Sequence, residues 1–334
     1  MRKVNWNRDH TPLISVVIPT YNRQNTITYC LKSVLAQTYK NFEILVVDDG
    51  STDQTVPIVS EICDPRIRLI EAKKNGGAQA ARNIGIKAAK GEWIAFLDSD
   101  DYWKLDKLEK QVQILFDHNF DKNIVIHSNC EIQVNGKITN TWILPDCNGF
   151  AYEKLLSGPT PMFQGLLVSK NLLKSIGLLD EEVPSYQEWD TAIRLAKEGY
   201  LVHMKEPTFV YCFHDDPTIS KNKARDIEGY LYILHKHKNE ILSINVKIYN
   251  SQIRNLIHRS IDFGLNAKVK ELTNEFTSCR LRFLYRNYVY FVLLIPYRWR
   301  PSLVKIQRML YAKTLKYSLR LRERLRRSTQ ASHG

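Results

Sequence analysis

Residues 42–55 read FEILVVDDGSTDQT, a continuous apolar run that ends in two aspartates, a glycine and a string of helix-opening residues. A strand this uniformly apolar has no wet face, which is the mark of a parallel sheet covered by helices on both sides. The flanking sequence repeats the form. Upstream, residues 14–18 (ISVVI) make a first strand that closes on Pro19-Thr20-Tyr21-Asn22. Between the two strands Asn25 is placed to cap a helix, with Ile27, Cys30, Leu31, Val34 and Leu35 at i, i+3, i+4, i+7 and i+8. Downstream, Thr52 or Asp53 opens the next helix and residues 67–70 form a third strand. Residues 77–89 come next as a helix of small residues, and residues 93–97 form a fourth strand that runs into Asp98-Ser99-Asp100-Asp101. This β-α-β-α-β-α-β order predicts the α/β class, with a doubly wound, mainly parallel sheet.

Farther on, residues 105–116 are periodic for an amphipathic helix. In the β-rich stretch after it, Asn135-Gly136 supplies hairpin chemistry between apolar runs. Helices are expected near 169–176 and 187–198, and the pattern is helical from about 221 onward, with Tyr230, Leu231 and Leu234, then Ile253, Leu256, Ile257 and Ile261. No internal repeat and no low-complexity segment interrupts the chain.

With 334 residues, 44% of them hydrophobic, the chain can bury a full core. Its net charge of +13 is not spread over the fold: residues 279–334 hold 14 Lys and Arg against Glu323 alone, and the first 278 residues balance at 34 against 34. That is a neutral body with a basic tail, and no nucleic-acid partner is expected from it. In the tail, Leu303, Ile306, Leu310, Thr314, Tyr317 and Leu321 recur at spacings of three and four. Lys305, Arg308, Lys313, Lys316 and Arg320 lie on or beside the other face, the composition of a helix lying on an anionic membrane surface. A solvated basic helix packed on the body is the alternative, and nucleic-acid binding by the tail a third, less favoured one.

The six cysteines, Cys30, Cys63, Cys130, Cys147, Cys212 and Cys279, are too scattered for a zinc site and read as reduced, mostly packed thiols. The first dozen residues are polar, so no signal peptide is expected, and the longest apolar run, residues 288–296, is about half of the roughly 20 residues that span a bilayer. The expectation is a cytoplasmic protein without a membrane-spanning helix, peripheral on the cytoplasmic face of the membrane.

In an open parallel sheet the ligand crevice lies at the carboxyl ends of the strands. Asp49 there can accept from a base donor such as the N3–H of uracil, with Tyr21 or Pro19 packed on the ring. Asp98 and Asp100 offer hard oxygens to Mg²⁺ or Mn²⁺ bridging two phosphates, and Arg82 on the preceding helix offers a second cation. Asp-rich strand ends also serve merely to cap helices and make turns. What joins these clusters is their shared sheet edge, which independent capping would not require. The Gly76-Gly77 pair lacks the G-x-G-x-x-G spacing of a dinucleotide fold.

Taken together, ISVVIPTYNR (14–23), FEILVVDDGSTDQT (42–55), NGGAQAARNIGIKAAKGEWIAFLDSDD (75–101) and QEWDTAIRLAKEG (187–199) resemble the four hallmark blocks of family-2 glycosyltransferases. The resemblance runs over roughly residues 12–215. It implies a GT-A-type sheet with a helical C-terminal extension, an inverting reaction, and a nucleotide pocket of Pro19, Tyr21, Asp49 and Arg82, with Asp98 and Ser99 beside it. It also implies a metal motif at Asp98 and Asp100 for Mn²⁺ or Mg²⁺, Asp100 being the more direct ligand. Inversion needs one general base for the acceptor hydroxyl. Where the family usually has a Glu-Asp pair, this chain has Gln187-Glu188, so Glu188 is the implied base and Asp190 the second candidate. A helix-dipole carboxylate is the plainer reading of Glu188. His214 is the third metal candidate, or else an ordinary loop hydrogen-bonding residue. At most one of Trp103, Trp142 and Trp189 is expected to stack on a sugar.

The resulting division is a catalytic domain over 1–220, its nucleotide half 12–101 and acceptor half 102–220. Beyond it come a helical extension over 221–278 and the basic tail over 279–334. The implied reaction moves a sugar from a nucleotide-sugar donor, a UDP-sugar foremost, to a hydroxyl of a lipid-linked or cell-surface glycan acceptor. Two other readings compete. A sugar-phosphate nucleotidyltransferase would place a Gly-rich loop with Arg and Lys where Pro19-Thr20-Tyr21-Asn22 stands. A non-catalytic carbohydrate-binding or scaffolding protein would not need the carboxylates.

Overall fold

Every residue of Ile14–Thr20 (β1) is buried, and the strand is paired in parallel on both sides, with Phe42–Asp48 (β2) and with Trp93–Phe96 (β4). The structure, a computed structural model, describes residues 11–158, 161–213, 222–295 and 304. Ile67–Glu71 (β3) adds in parallel to β2, so the order β3-β2-β1-β4 is that of the predicted doubly wound half. The crossovers are Ile27–Leu35 (α1), Thr55–Ser60 (α2) and Ala78–Ala88 (α3). Thr20 lies opposite Asp48 and Val17 opposite Phe96, so these strands end at one edge of the sheet.

Past β4 the sheet becomes mixed, which the apolar runs did not announce. β4 is antiparallel to Leu167–Ser169 (β8), which is antiparallel to Ile124–Val134 (β6). β6 runs parallel to Tyr200–Phe213 (β9) and also carries Lys137–Trp142 (β7), while the short Tyr102–Trp103 (β5) joins β9. Asn135 and Gly136 both take positive φ, 49° and 76°, the primed turn that an Asn-Gly hairpin supplies. In this unit Lys107–Asp117 (α4), Tyr152–Leu156 (α5), Lys170–Ser175 (α6) and Gln187–Glu198 (α7) complete the helices.

Helix starts differ from expectation for local reasons. α1 is preceded by Thr26 rather than Asn25, because the Arg23 carbonyl accepts from both Thr26 N and Ile27 N and winds the chain one residue later. Asp53 does open α2, but from two residues before it, its carboxylate accepting from Thr55 N at 2.9 Å. α4 starts at Lys107, and Leu105 stays outside the helix and exposed.

The chain divides into two compact units, 1–221 and 222–334. Among its described residues the second is helical: Lys223–Lys236 (α8), Lys238–Ile244 (α9), Val246–Asp262 (α10), Asn266–Leu272 (α11) and Cys279–Leu294 (α12). No helix among the described residues is long and apolar enough to cross a membrane. All six cysteines are free, and Cys63 and Cys279 are exposed rather than packed.

The seating of α3 on the sheet fixes the position of Arg82, which this helix carries. At Gly85 the helix lies so close to the sheet that a Cβ would fall 2.5 Å from Val17 Cγ1 and 3.3 Å from Val47 Cγ2. Gly85→Ala is therefore expected to lower stability by about 1–3 kcal/mol through overpacking, despite the better helix propensity of alanine. Urea titration of the variant checks it, an unchanged midpoint meaning that the contact relaxes freely.

Candidate active site

The loops after β1 and β2 are latched together. Asn22 takes a left-handed φ of 52°, which a short amide side chain tolerates. Its N donates to Ser51 Oγ at 2.8 Å, and its Oδ1 accepts from Thr52 N at 2.8 Å. Arg23 N donates to Thr55 Oγ1 at 2.7 Å. The latch leaves Tyr21 46% exposed beside the buried Pro19 and Thr20, so a flat aromatic ring stands open at the crevice mouth.

The two aspartates after β2 divide their work. Asp48 Oδ2 accepts from Gly50 N and Ser51 N and makes the turn, while Asp48 Oδ1 is buried with no partner among the described residues. Asp49, 4% exposed, accepts from Gly76 N at 2.8 Å and Gly77 N at 2.7 Å. Gly77, at φ 86°, caps α3, so Asp49 orders the start of the helix that bears Arg82. A carboxylate has about four lone-pair directions, and two remain for a donor in the crevice.

Arg82 is 4% exposed and stacks its guanidinium on the Phe163 ring, 4.2 Å from the centroid. Nη2 meets Asp98 Oδ1 at 2.5 Å, and Nη1 donates to Gln79 Oε1 at 2.9 Å and Gln187 Oε1 at 3.3 Å. One side chain thus ties α3, the end of β4 and the start of α7. The Gln-for-Glu departure at position 187 is accommodated here, since an amide oxygen accepts from Arg82 without adding a third anion.

After β4, Asp98 keeps 30% of its side chain exposed, and Asp100 17% beside Arg23 at 3.3 Å. Ser99 is buried between them. Asp101 is enclosed, accepting from Cys212 N at 2.8 Å and from Gln164 Nε2 at 2.6 Å. Burial, then the charges of Asp100 and Asp98, hold the Asp101 carboxyl well above the usual carboxylate range. The same Gln164 Nε2 donates to Asp98 Oδ2 at 2.8 Å, so one amide binds both carboxylates. Gln164 sits in a short 3₁₀ turn, Phe163–Gly165, and no sequence signal singled it out. Only the pairing of β8 with β4 carries it to this edge.

At the start of α7, Glu188 is partly buried, and the fold brings it within electrostatic reach of Arg82 and Asp98. Burial raises its pKa, and Asp98 adds to the rise, while a backbone hydrogen bond and Arg82 oppose it. Asp190 points elsewhere: it is fully buried and accepts from Arg194 Nε at 2.8 Å. Arg194 in turn binds the carbonyls of Ile176 and Leu178, so this pair clamps the 176–178 turn. Of the two carboxylates, Glu188 is the one whose charge interacts with Arg82 and Asp98. Trp103 and Trp189 are core residues whose indole N–H groups donate to the carbonyls of Gln164 and Leu155. Trp142, 48% exposed on β7, presents an open face. His214, and the tail residues 296–303 and 305–334, lie outside the described residues.

Asp98 and Asp100 supply hard, part-exposed oxygens on one turn, each beside a guanidinium, Arg82 and Arg23. That donor set fits Mg²⁺ or Mn²⁺, which is typically held by one or two carboxylates together with substrate phosphates and water. Among the described residues no group of three His, Cys, Asp or Glu is arranged to hold a metal by protein atoms alone.

The family model for glycosyl transferase family 2 matches residues 15–167. From Escherichia coli, the UDP-Glc:alpha-D-GlcNAc-diphosphoundecaprenol beta-1,3-glucosyltransferase WfgD is 42% identical over 144 residues, 43% of this chain and 55% of that relative's own length. WfaP of the same organism, with the same described activity, is 42% identical over 240 residues, 71% of this chain and 89% of WfaP. Among solved structures, Staphylococcus aureus TarS 1–349 in complex with UDP-GlcNAc aligns with a TM-score of 0.58 at 20% identity, over 84% of this chain and 89% of that one. The mannosyltransferase PcManGT of Pyrobaculum calidifontis, in complex with GDP-Man and Mn²⁺, aligns with a TM-score of 0.58 at 19% identity, over 92% and 88%. These two likenesses support the GT-A-type fold.

Proposed function

Since the chain belongs to glycosyl transferase family 2, we propose that it is an inverting transferase moving a sugar from a UDP-sugar to a hydroxyl of a lipid-linked glycan. The observation that carries this is the convergence at one sheet edge of Asp98 and Asp100, the Arg82 guanidinium that bridges to Gln187, and Glu188 within reach of both Arg82 and Asp98. The donor nucleoside packs on Tyr21 and Pro19 with Asp49 accepting from its base. Asp98 and Asp100 would hold a divalent cation, which would supply charge neutralisation for the departing diphosphate. Arg82 adds fixed positive charge at the same end, pre-oriented by the Phe163 ring and Gln79, so little reorganisation is needed as the leaving group departs.

Glu188 takes the proton of the acceptor hydroxyl as that oxygen attacks the face of the sugar opposite the nucleotide, which inverts the anomeric carbon. Partial burial suits the task, because a carboxylate with a raised pKa is a stronger base than a solvated one. The acceptor class rests on the relatives WfgD and WfaP, whose described substrate is a GlcNAc-diphosphoundecaprenol. The catalytic domain is 1–220, with a helical extension over 221–278 after it. Residues 279–334 hold the chain to the cytoplasmic membrane surface where such an acceptor resides. A screen of UDP-, GDP- and dTDP-sugars with Mn²⁺, read as nucleoside diphosphate release, tests the donor side. Release from a UDP-sugar is expected, and release from none of them in the presence of a diphosphate lipid acceptor would overturn the proposal.

A further inference from the structure

We propose that the outward face of α12, with the cavity beside it, docks on an anionic lipid bilayer, the cavity taking a phosphate-bearing headgroup; this rests on the membrane association proposed above. α12 has two unlike sides. Val289 and Val292 are buried, and the Tyr285 ring packs on Phe276 at 4.7 Å. On the other side Phe283 is 67% exposed, Leu284 51%, Phe291 61% and Leu294 85%. With Asn287 these positions succeed one another at helical spacing and form a single stripe along the helix. At 16 residues α12 is shorter than the roughly 20 needed to span a bilayer, so an apolar stripe of this length suits a helix lying in the interface.

Alongside the stripe is a cavity of about 270 Å³ whose wall includes Lys270 and Arg286. Both cations approach the Tyr290 ring, each about 5.9 Å from its centroid, and Thr273 and Asn274 add polar groups to the lining. The cavity also has one acid, Glu271, which pairs with Lys268 at 2.8 Å. A guanidinium and an ammonium beside an aromatic ring with hydroxyl and amide neighbours form a phosphate-selective set. The basic excess of the whole chain falls within residues 279–334, so the charge of this segment is opposite to that of an anionic leaflet. An apolar stripe next to a phosphate-binding cavity matches the two layers of such a surface, acyl chains and headgroups.

The test uses the full chain sedimented with vesicles of phosphatidylcholine alone or mixed with phosphatidylglycerol. Wild type is expected to partition onto the mixed vesicles. A Phe283→Ser/Phe291→Ser double variant keeps every charge and is expected to lose on the order of tenfold in partitioning. Lys270→Gln/Arg286→Gln keeps the stripe and is expected to lose most of the preference for phosphatidylglycerol. The altered side chains are exposed or line an open cavity, so melting temperatures are expected to stay as in wild type. If both variants partition as wild type does, the docking site is overturned while membrane association stands. If wild type itself ignores the mixed vesicles, both fall. Should the aromatic variant merely turn a dimer into a monomer in light scattering, with partitioning unchanged, the stripe is a contact between copies and the proposal is overturned.

Discussion

Glu188→Gln is expected to lower turnover by about 10²–10⁴-fold with donor affinity nearly unchanged. The substitution keeps size and hydrogen bonding but removes the acceptor of the hydroxyl proton. Wild-type activity should rise as pH increases through the Glu188 pKa, which burial lifts above the ordinary glutamate range, so the acidic limb of the rate profile sits higher than that of a solvated carboxylate. The variant should lack this limb, and Glu188→Asp should retain it. The sign of the stability effect runs the other way. With the folded-state pKa above the unfolded one, the native state binds more protons between the two values, and stability falls as pH rises through that window. Glu188→Gln removes the loss and should melt at or above the wild-type temperature at neutral pH. Full turnover in this variant, measured as glycan product, would exclude Glu188 as the base.

Asp100→Ala is expected to lower metal-dependent donor turnover by about 10²–10³-fold, comparable to removing one preorganised electrostatic group from an active site. Asp100 is part-buried beside Arg23, and its charge is one of those that crowd the buried Asp101, so its removal relieves like-charge repulsion and should leave the fold intact. Asp98→Ala should be as inactive but less stable, because it strands the buried Arg82 guanidinium and frees one arm of Gln164. The contrast separates catalysis from folding: Asp100→Ala loses Mn²⁺ response with an unchanged urea midpoint, and Asp98→Ala loses both. Unimpaired turnover in Asp100→Ala would remove the metal assignment.

Much of the nucleotide half was legible because its signals are local. The apolar runs at 42–47 and 93–97, the helical spacing from Ile27 to Leu35 and the Asn135-Gly136 turn each depend on residues near one another in the chain. Gln164 was not legible: an amide in a short turn has no periodicity, and its two hydrogen bonds reach back 66 and 63 residues to Asp98 and Asp101. The choice between Glu188 and Asp190 was open for the same reason. Two carboxylates two residues apart on a helix face different sides, and sequence spacing does not say which side meets the crevice.

The amino-acid order alone therefore determined the α/β class, the parallel nucleotide half and the placing of Asp49, Asp98 and Asp100 at strand ends, since strand period, helix period and turn chemistry are properties of short segments. Tertiary structure alone decided that the second half of the sheet is mixed, that Arg82 bridges Asp98 to Gln187, that Asp190 is bound to Arg194 while the charge of Glu188 interacts with Arg82 and Asp98, and that α12 leaves one apolar face exposed among the described residues. Each of those depends on which distant surface a segment packs against, and burial, charge pairing and pKa come into being only with that packing.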